Sequence, residues 1–365
     1  MRVGFFSPLP PSRTGVADYG AALLRALRGF GCIDLARDGD VNLYHLGNNQ
    51  THRAIYQTAL ARPGVAVLHD AVLQHFFLGA LGEAAYVEEF VYNYGAWSRP
   101  QAEQLWRARA SSGADPRYYQ YPMVRRIAER SRAVVVHNPA AAEIVRRHAP
   151  AASVVEIPHL WEPPPLPPAA ESLRLRARLG VPPGSFLFAV FGYLRESKRL
   201  MSVLRAFEAV KRERPDAFLL ISGEFVSSDL ERSAAALLGK PGILRRGYAP
   251  EPDFWALASA VDACINLRYP AAGETSGITL RLMGAAKPVF VTAGLETARF
   301  PETACVRIDP GPAEEAMLAH YMMYFTEFPQ AARAIGREGA GYVGAFHTLE
   351  RAAALYWETL CAHRG

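Results

Sequence analysis

Cysteine is scarce in this chain: Cys32, Cys264, Cys305 and Cys361 are the only four in 365 residues, far apart and without a CxxC pair. That spacing argues against a disulfide framework, and we expect reduced, mostly buried thiols in a reducing compartment. Long apolar runs are missing too. No stretch is long and apolar enough to span a bilayer, and the run after Arg2 is broken by Pro8, Pro10 and Pro11 before it resembles a secretory leader. The 29 glycines and 27 prolines form no low-complexity tract, no GxGxxG marks a dinucleotide site, and no residues stand at metal-ligand spacing. Charge of one sign is not concentrated either. Forty basic against thirty-five acidic residues leave a net +5, scattered along the chain, so acidic partners fit but a nucleic-acid module is not expected. The expectation is a cytoplasmic protein, with any membrane contact peripheral and at the inner face.

What is present is alternation. With 50% hydrophobic residues the chain can bury more than one core. Short apolar runs at 2–6, 32–36, 41–46, 65–68, 133–137 and 153–157 read as strands rich in Val, Ile and Leu, as parallel strands buried on both faces are. Helical patterns intervene, the first from about Gly15 to Arg28. The segment 162–172, EPPPLPPAAES, reads as a stiff extended linker, and beyond it the pattern resumes with strands at 186–191, 217–222, 243–247, 261–267, 288–292 and 305–308. The gap from 68 to 133 holds many aromatics interleaved with arginines. It reads as a helical insertion at about 70–130, whose surface is either an ordinary solvated face or a platform for an acceptor or a membrane. The fold class expected is α/β: two doubly wound parallel-sheet domains facing a cleft, 1–165 and 166–345, and a last helix in 346–365 that could pack on either.

In such sheets the loops after strands carry the chemistry. Residues 269–288, YPAAGETSGITLRLMGAAKP, run from one apolar strand to the next through a single helix. Thr275 or Ser276 can cap that helix, and the bare N–H groups of Ser276 and Gly277 would form an anion site. Glu274 beside a phosphate makes sense if the ligand also carries hydroxyls, as a sugar diphosphate does. The plain alternative is a capped strand-to-helix turn. Gly192 to Lys198 follows another strand, and a lysine in the first turn of a helix opposes the macrodipole unless an anion is bound. Gly223 with Glu224, and Tyr248, end further strands and can meet a nucleotide. In the first half, Gly15 follows a loop closed by Thr14, and Asn48, Asn49 and His52 lie at a strand end, suited to hydroxyl recognition or to helix capping. His69 and Asp70 end the strand at 65–68, where an imidazole can donate to a sugar hydroxyl. Asp38-Gly-Asp40 has the form of a metal-binding DxD but sits where a turn is expected.

Taken together, the Gly15 loop, the His69 strand end, Gly192 with Lys198, and GETSG around Glu274 followed by Lys287-Pro288-Val289 resemble the retaining GT-B glycosyltransferases of family 4. The resemblance implies a GT-B fold of two Rossmann-like domains, the first binding the acceptor and the second the nucleotide sugar. It also implies a UDP- or GDP-linked donor, transfer with retention, and neither metal nor cofactor. The acceptor would be a glycan, a lipid-linked molecule or a small molecule. By the same resemblance His69, Lys198 and Glu274 are catalytic. Gly15, Arg195, Lys198, Thr275, Ser276 and Gly277 hold the diphosphate; Gly192, Gly223, Glu224, Tyr248, Glu274 and Arg281 hold the sugar and nucleotide; Asp18, Asn48, Asn49, His52 and Asp70 lie toward the acceptor. Two departures stand out. The family's second glutamate, after seven intervening residues, is missing, with Arg281 one place earlier. Tyr193 replaces the arginine that usually follows the glycine, and Arg195 is the first candidate to supply the missing charge, ahead of Arg199 and Arg281. An epimerase on the same architecture, or a binding protein that has lost transfer, would also fit.

Overall fold

A computed structural model describes residues 1–12 and 14–364. Arg13, in the loop expected before the first helix, and Gly365 lie outside the described residues.

The strands are β1 (Arg2–Phe6), β2 (Cys32–Leu35), β3 (Val41–Leu46), β4 (Val65–Leu68), β5 (Ala133–Val136), β6 (Val154–Glu156), β7 (Phe186–Phe191), β8 (Ala217–Ser222), β9 (Ile243–Arg246), β10 (Ala263–Asn266), β11 (Val289–Thr292) and β12 (Val306–Ile308). All lie within two residues of the sequence expectation at either end. The helices in the first part are α1 (Gly15–Leu27), α2 (Arg53–Ala61), α3 (Gln74–Ala80), α4 (Glu83–Tyr94), α5 (Arg99–Arg107), α6 (Arg125–Arg130) and α7 (Pro139–His148). There follow α8 (Ala169–Arg178), α9 (Leu200–Glu213), α10 (Ser228–Leu238), α11 (Glu251–Ala260), α12 (Gly277–Gly284), α13 (Glu314–Glu327), α14 (Pro329–Phe346) and α15 (Leu349–Ala362). None of these helices is long and apolar enough to cross a membrane.

The chain divides into two compact units. The first comprises Met1–Leu160, the loop Pro270–Thr275 and the segment from Phe346 onward; the second comprises Trp161–Tyr269 and Ser276–Ala345. Each holds one six-stranded sheet, ordered β2-β1-β3-β4-β5-β6 in the first and β12-β11-β10-β7-β8-β9 in the second. Every pairing is parallel. Such strands are covered by helices on both faces, and their side chains alternate between two apolar layers. In β7, Phe186, Phe188 and Val190 enter one core and Leu187, Ala189 and Phe191 the other. In β4, Ala66 and Leu68 face the insertion core while Val65 and Val67 face α1 and α15. The aromatics of the insertion supply that first core: Phe77, Tyr86, Phe90 and Tyr118 are essentially inaccessible. Full burial of each large apolar side chain stabilises the fold by roughly 1.5–3 kcal/mol.

Two expectations need correction. The thiols are not mostly buried: Cys264 and Cys305 are, whereas Cys32 and Cys361 are exposed. The proline-rich stretch stays extended only as far as Pro168, because α8 starts at Ala169, where the prolines end and strong helix formers follow. The Asp38-Gly-Asp40 segment is the turn between β2 and β3: Asp38 pairs with Arg62, and Asp40 accepts from the Arg2 amide at 2.9 Å.

In the second unit the ladder continues past the strand ends. Gly192 N–H donates to Ser222 C=O at 2.9 Å, and Leu194 N–H to Glu224 C=O at 2.8 Å. The two loops run so close that a Cβ on Gly223 would lie 2.0 Å from the Gly192 carbonyl oxygen, at a φ of +154°. Backbone cannot yield as a side chain can. Gly223→Ala is therefore expected to lower unfolding free energy by about 2–3 kcal/mol, as overpacking does, read from the urea midpoint; a change within about 0.5 kcal/mol would contradict this close packing.

Candidate functional site

The second sheet reverses its order at β7, which has β8 on one side and β10 on the other. Connections leave toward opposite faces there, and in open parallel sheets this opens a crevice at the carboxyl ends of the strands. Gly192 follows β7 with φ +88°, and a Cβ there would lie 2.6 Å from Ile278 Cδ1 and 3.0 Å from Lys198 Nζ. The ammonium of Lys198 and the side chain of Ile278, which belongs to the first turn of α12, thus both lie against Gly192, and only glycine leaves room. Lys198 is 9% exposed, and its Nζ donates to the Phe191 carbonyl at 3.1 Å. It does not sit in the first turn of α9, as the sequence suggested. A 3-10 turn, Glu196–Lys198, and a left-handed Arg199 at φ +58° come first, so Arg199 is the N-cap and Ser197 caps nothing.

Ser276 is the residue that caps α12: its Oγ accepts from Thr279 N–H at 3.2 Å. Asn266 at the end of β10 donates to the same oxygen at 2.6 Å, and Arg268 Nη2 at 3.0 Å. The N–H groups of the first turn have no partner inside the helix and carry its positive end. Of the other expected cations, Arg195 is exposed. Arg199 is bound to Glu314, a carboxylate only 1% exposed, through Nε at 2.8 and 3.1 Å. Arg281 pairs with Glu251 and lies over the Phe254 and Trp255 rings at 4.3 and 4.7 Å. At the position after seven intervening residues, Leu282 is buried in the core. Glu224 and Tyr248 are exposed and Gly223 is buried. Neither Arg268 nor Asn266 was singled out from the sequence; the signal was their position at the end of the apolar run of β10.

In the first unit a histidine lies at or just past the carboxyl end of each of four neighbouring strands: His45 is the penultimate residue of β3, His69 and His137 directly follow β4 and β5, and His159 comes three residues after β6. The rings gather round Tyr19, whose centroid lies 4.8 Å from those of His69 and His159, 5.3 Å from His137 and 5.8 Å from His45. The Tyr19 hydroxyl meets that of Tyr356, from α15, at 2.9 Å. Backbone carbonyls fix several tautomers: Nδ1–H of His52 donates to His45 C=O, that of His137 to Ile157 C=O and that of His347 to His159 C=O, at 3.0, 2.9 and 2.7 Å. His45 Nδ1 and His69 Nε2 are 3.0 Å apart, and His45 Nε2 is buried with no partner. A buried lone pair is cheaper to leave unmatched than a buried N–H. His45 therefore donates through Nδ1, and His69 carries its own proton on Nδ1, as a donor. Among the described residues no group of three or more His, Cys, Asp or Glu is arranged to hold a metal ion.

The loop Pro270–Thr275 is held within the first unit. Ala71 and Val72 N–H donate to Ala272 C=O at 2.8 and 3.0 Å, and Asn138 Nδ2 donates to Gly273 C=O and Thr275 Oγ1 at 3.0 and 2.9 Å. Asn138 also caps α7, and the Asn-Pro pair after β5 was its sequence signal. Glu274 turns its Oε2 onto Ala272 N–H at 2.7 Å. Thr14 caps α1, where Gly15 and Asp18 are exposed. Asp70 accepts from Asn48 N–H at 2.8 Å, Asn48 Oδ1 accepts from Phe76 N–H at 2.8 Å, and Asn49 Oδ1 accepts from Thr51 N–H at 3.0 Å. His52 is wholly buried and offers a ligand no surface.

No protein-family model matches the chain, and no curated protein resembles it in sequence. Solved structures do resemble it in fold. Sucrose-phosphate synthase from Thermosynechococcus elongatus superposes with a TM-score of 0.70 at 16% identity, covering 99% of this chain and 100% of that one. HepE from Anabaena, crystallised with UDP-glucose, gives 0.69 at 14% identity with the same coverage. WaaG, a glycosyltransferase involved in lipopolysaccharide biosynthesis, gives 0.64 at 13% identity, covering 97% of this chain and 99% of that one. Together with the two parallel sheets, these likenesses establish the fold as GT-B.

Burial among other imidazoles holds the clustered rings neutral: it pushes His45 down to about 3 and His137 down to about 4, and His69 and His159 well below the ordinary value. An unfolded chain takes up these protons near pH 6.5, while the native one refuses them until far lower pH. Native stability is thus complete above pH 6.5 and declines as pH falls toward about 4, by about 1.4 kcal/mol per pH unit for each ring kept neutral. Urea midpoints measured from pH 7.5 to 5 should fall steadily below pH 6.5; a flat profile would contradict neutral burial.

Proposed function

We propose that this chain is a glycosyltransferase that moves a sugar from a UDP- or GDP-linked donor to an acceptor hydroxyl. The observation that carries this reading is the ammonium of Lys198, held out of water at the switch point of the second sheet beside the start of α12. Breaking a sugar-diphosphate bond places growing negative charge on the departing phosphate, and a fixed cation with open helix N–H groups lowers that barrier without reorganising. HepE, similar in fold over its full length, binds UDP and glucose in one crystal and UDP-glucose in another.

In this reading the second unit is the donor domain. Lys198 neutralises the leaving diphosphate, with Arg195 at the loop mouth, and Ser276 and Gly277 supply the helix tip. Gly192 and Gly223 let the ligand approach backbone, while Tyr248, Glu224 and Arg281 lie toward the nucleotide. The first unit is the acceptor domain. Its His69 donates a neutral N–H to the donor sugar, Glu274 accepts from sugar hydroxyls, Thr275 and Gly15 lie near the phosphates, and Asp18, Asn48, Asn49 and Asp70 lie toward the acceptor. Retention of configuration, catalysis without metal and membership of family 4 complete the proposal. The acceptor would be a glycan, a lipid-linked molecule or a small molecule.

A calorimetric screen of UDP- and GDP-sugars against the native chain and Lys198→Ala tests this. At least one donor should bind, and the substitution should weaken it tenfold or more, about 1.4 kcal/mol, as loss of a charge-assisted contact does. Native protein that binds no nucleotide sugar, or a variant that binds equally well, would overturn the reading.

A further inference from the structure

The proposed donor site needs more positive charge than Lys198 supplies, since a diphosphate is charged on both phosphoryl groups and gains charge as it departs. The expected arginines are poorly suited. Arg199 is committed to the buried Glu314, Arg281 to Glu251 and two aromatic rings, and Arg195 stands exposed.

Arg268 occupies the opposite lip of the same crevice. It follows β10, the strand that lies beside β7 at the switch point, so its backbone begins where the strand's last side chains end. Its N–H donates to Thr292 Oγ1 at 2.8 Å, and the next residue, Tyr269, donates its N–H to Ser197 C=O at 2.7 Å. That second bond ties the Arg268 loop to the residue preceding Lys198. The guanidinium is partly buried, with Nη2 on the hydroxyl that caps α12. An anion at the positive end of a helix is favoured both by the macrodipole and by cationic side chains beside it. A guanidinium also presents a planar fork of N–H donors that fits phosphate oxygens, which an ammonium does not.

We propose that Arg268 is the second cation of the diphosphate site, its guanidinium shared between the Ser276 hydroxyl and a phosphoryl oxygen of a nucleoside diphosphate. This rests on the donor site proposed above. Lys198 and Arg268 then approach the diphosphate from the loops of β7 and β10, with the start of α12 between them.

The test uses the full chain with UDP, GDP, uridine and guanosine as probes, comparing native protein with Arg268→Gln and Arg268→Lys. Glutamine keeps an N–H for Ser276 but removes the charge. The preferred diphosphate should bind Arg268→Gln at least tenfold more weakly, Arg268→Lys should recover part of the loss, and binding of the matching nucleoside should stay within twofold. Equal losses for nucleoside and diphosphate would mean that Arg268 merely braces the helix, and would overturn the proposal. Unchanged diphosphate affinity in Arg268→Gln would overturn it while leaving the Lys198 donor site standing. Native protein that binds neither diphosphate would remove both.

Discussion

A lysine ammonium held almost entirely out of water at the end of a parallel strand is the constraint on which the rest of the second unit depends. Lys198 sits there because Gly192 lacks a side chain, because the 3-10 turn 196–198 brings the chain back over β7, and because the Phe191 carbonyl accepts from Nζ. Each of these is a backbone feature. The loops that make them are braced by ladder bonds that run past the strand ends, which is why Gly223 has no room for a methyl group. Charge in such a place is costly to desolvate, and a rigid backbone around it keeps it aimed at a fixed point.

The first unit solves a different problem with neutral groups. Its strands β3 to β6 bring imidazoles to one rim, where burial strips their charge and carbonyls choose their tautomers. The result is a set of oriented N–H donors and bare nitrogens that do not ionise near neutral pH. His69, last in the pair it makes with His45, is left with a proton on Nδ1.

The fold was legible because its strands are short, apolar and separated by helical periods, which sheet pairing then turned into two parallel sheets. The linker was overread: the prolines hold the chain extended, but Ala169 onward has the composition of a helix and becomes one. Capping showed the limit of local rules, since Thr275 and Ser276 were equal candidates until Asn138 engaged the first and Asn266 and Arg268 converged on the second. Those partners are 8 to 137 residues away, and no helix-capping pattern in the sequence announces them. The histidine rim was present in the sequence as a repetition, His45, His69, His137 and His159 each lying near the end of an apolar run or shortly after it, but such a repetition becomes a cluster only when the strands are known to be neighbours. His52 reads as a polar strand-end residue yet is buried, because its ring turns back under the carbonyl of His45.

The most direct measurement is diffraction from crystals of the native chain grown with the nucleoside diphosphate it binds. The account requires a phosphoryl oxygen within hydrogen-bonding reach, about 3 Å, of Lys198 Nζ, with its neighbours directed at the start of α12. A diphosphate ordered elsewhere on the molecule, with Lys198 still turned to the Phe191 carbonyl and nothing at the helix tip, would contradict it.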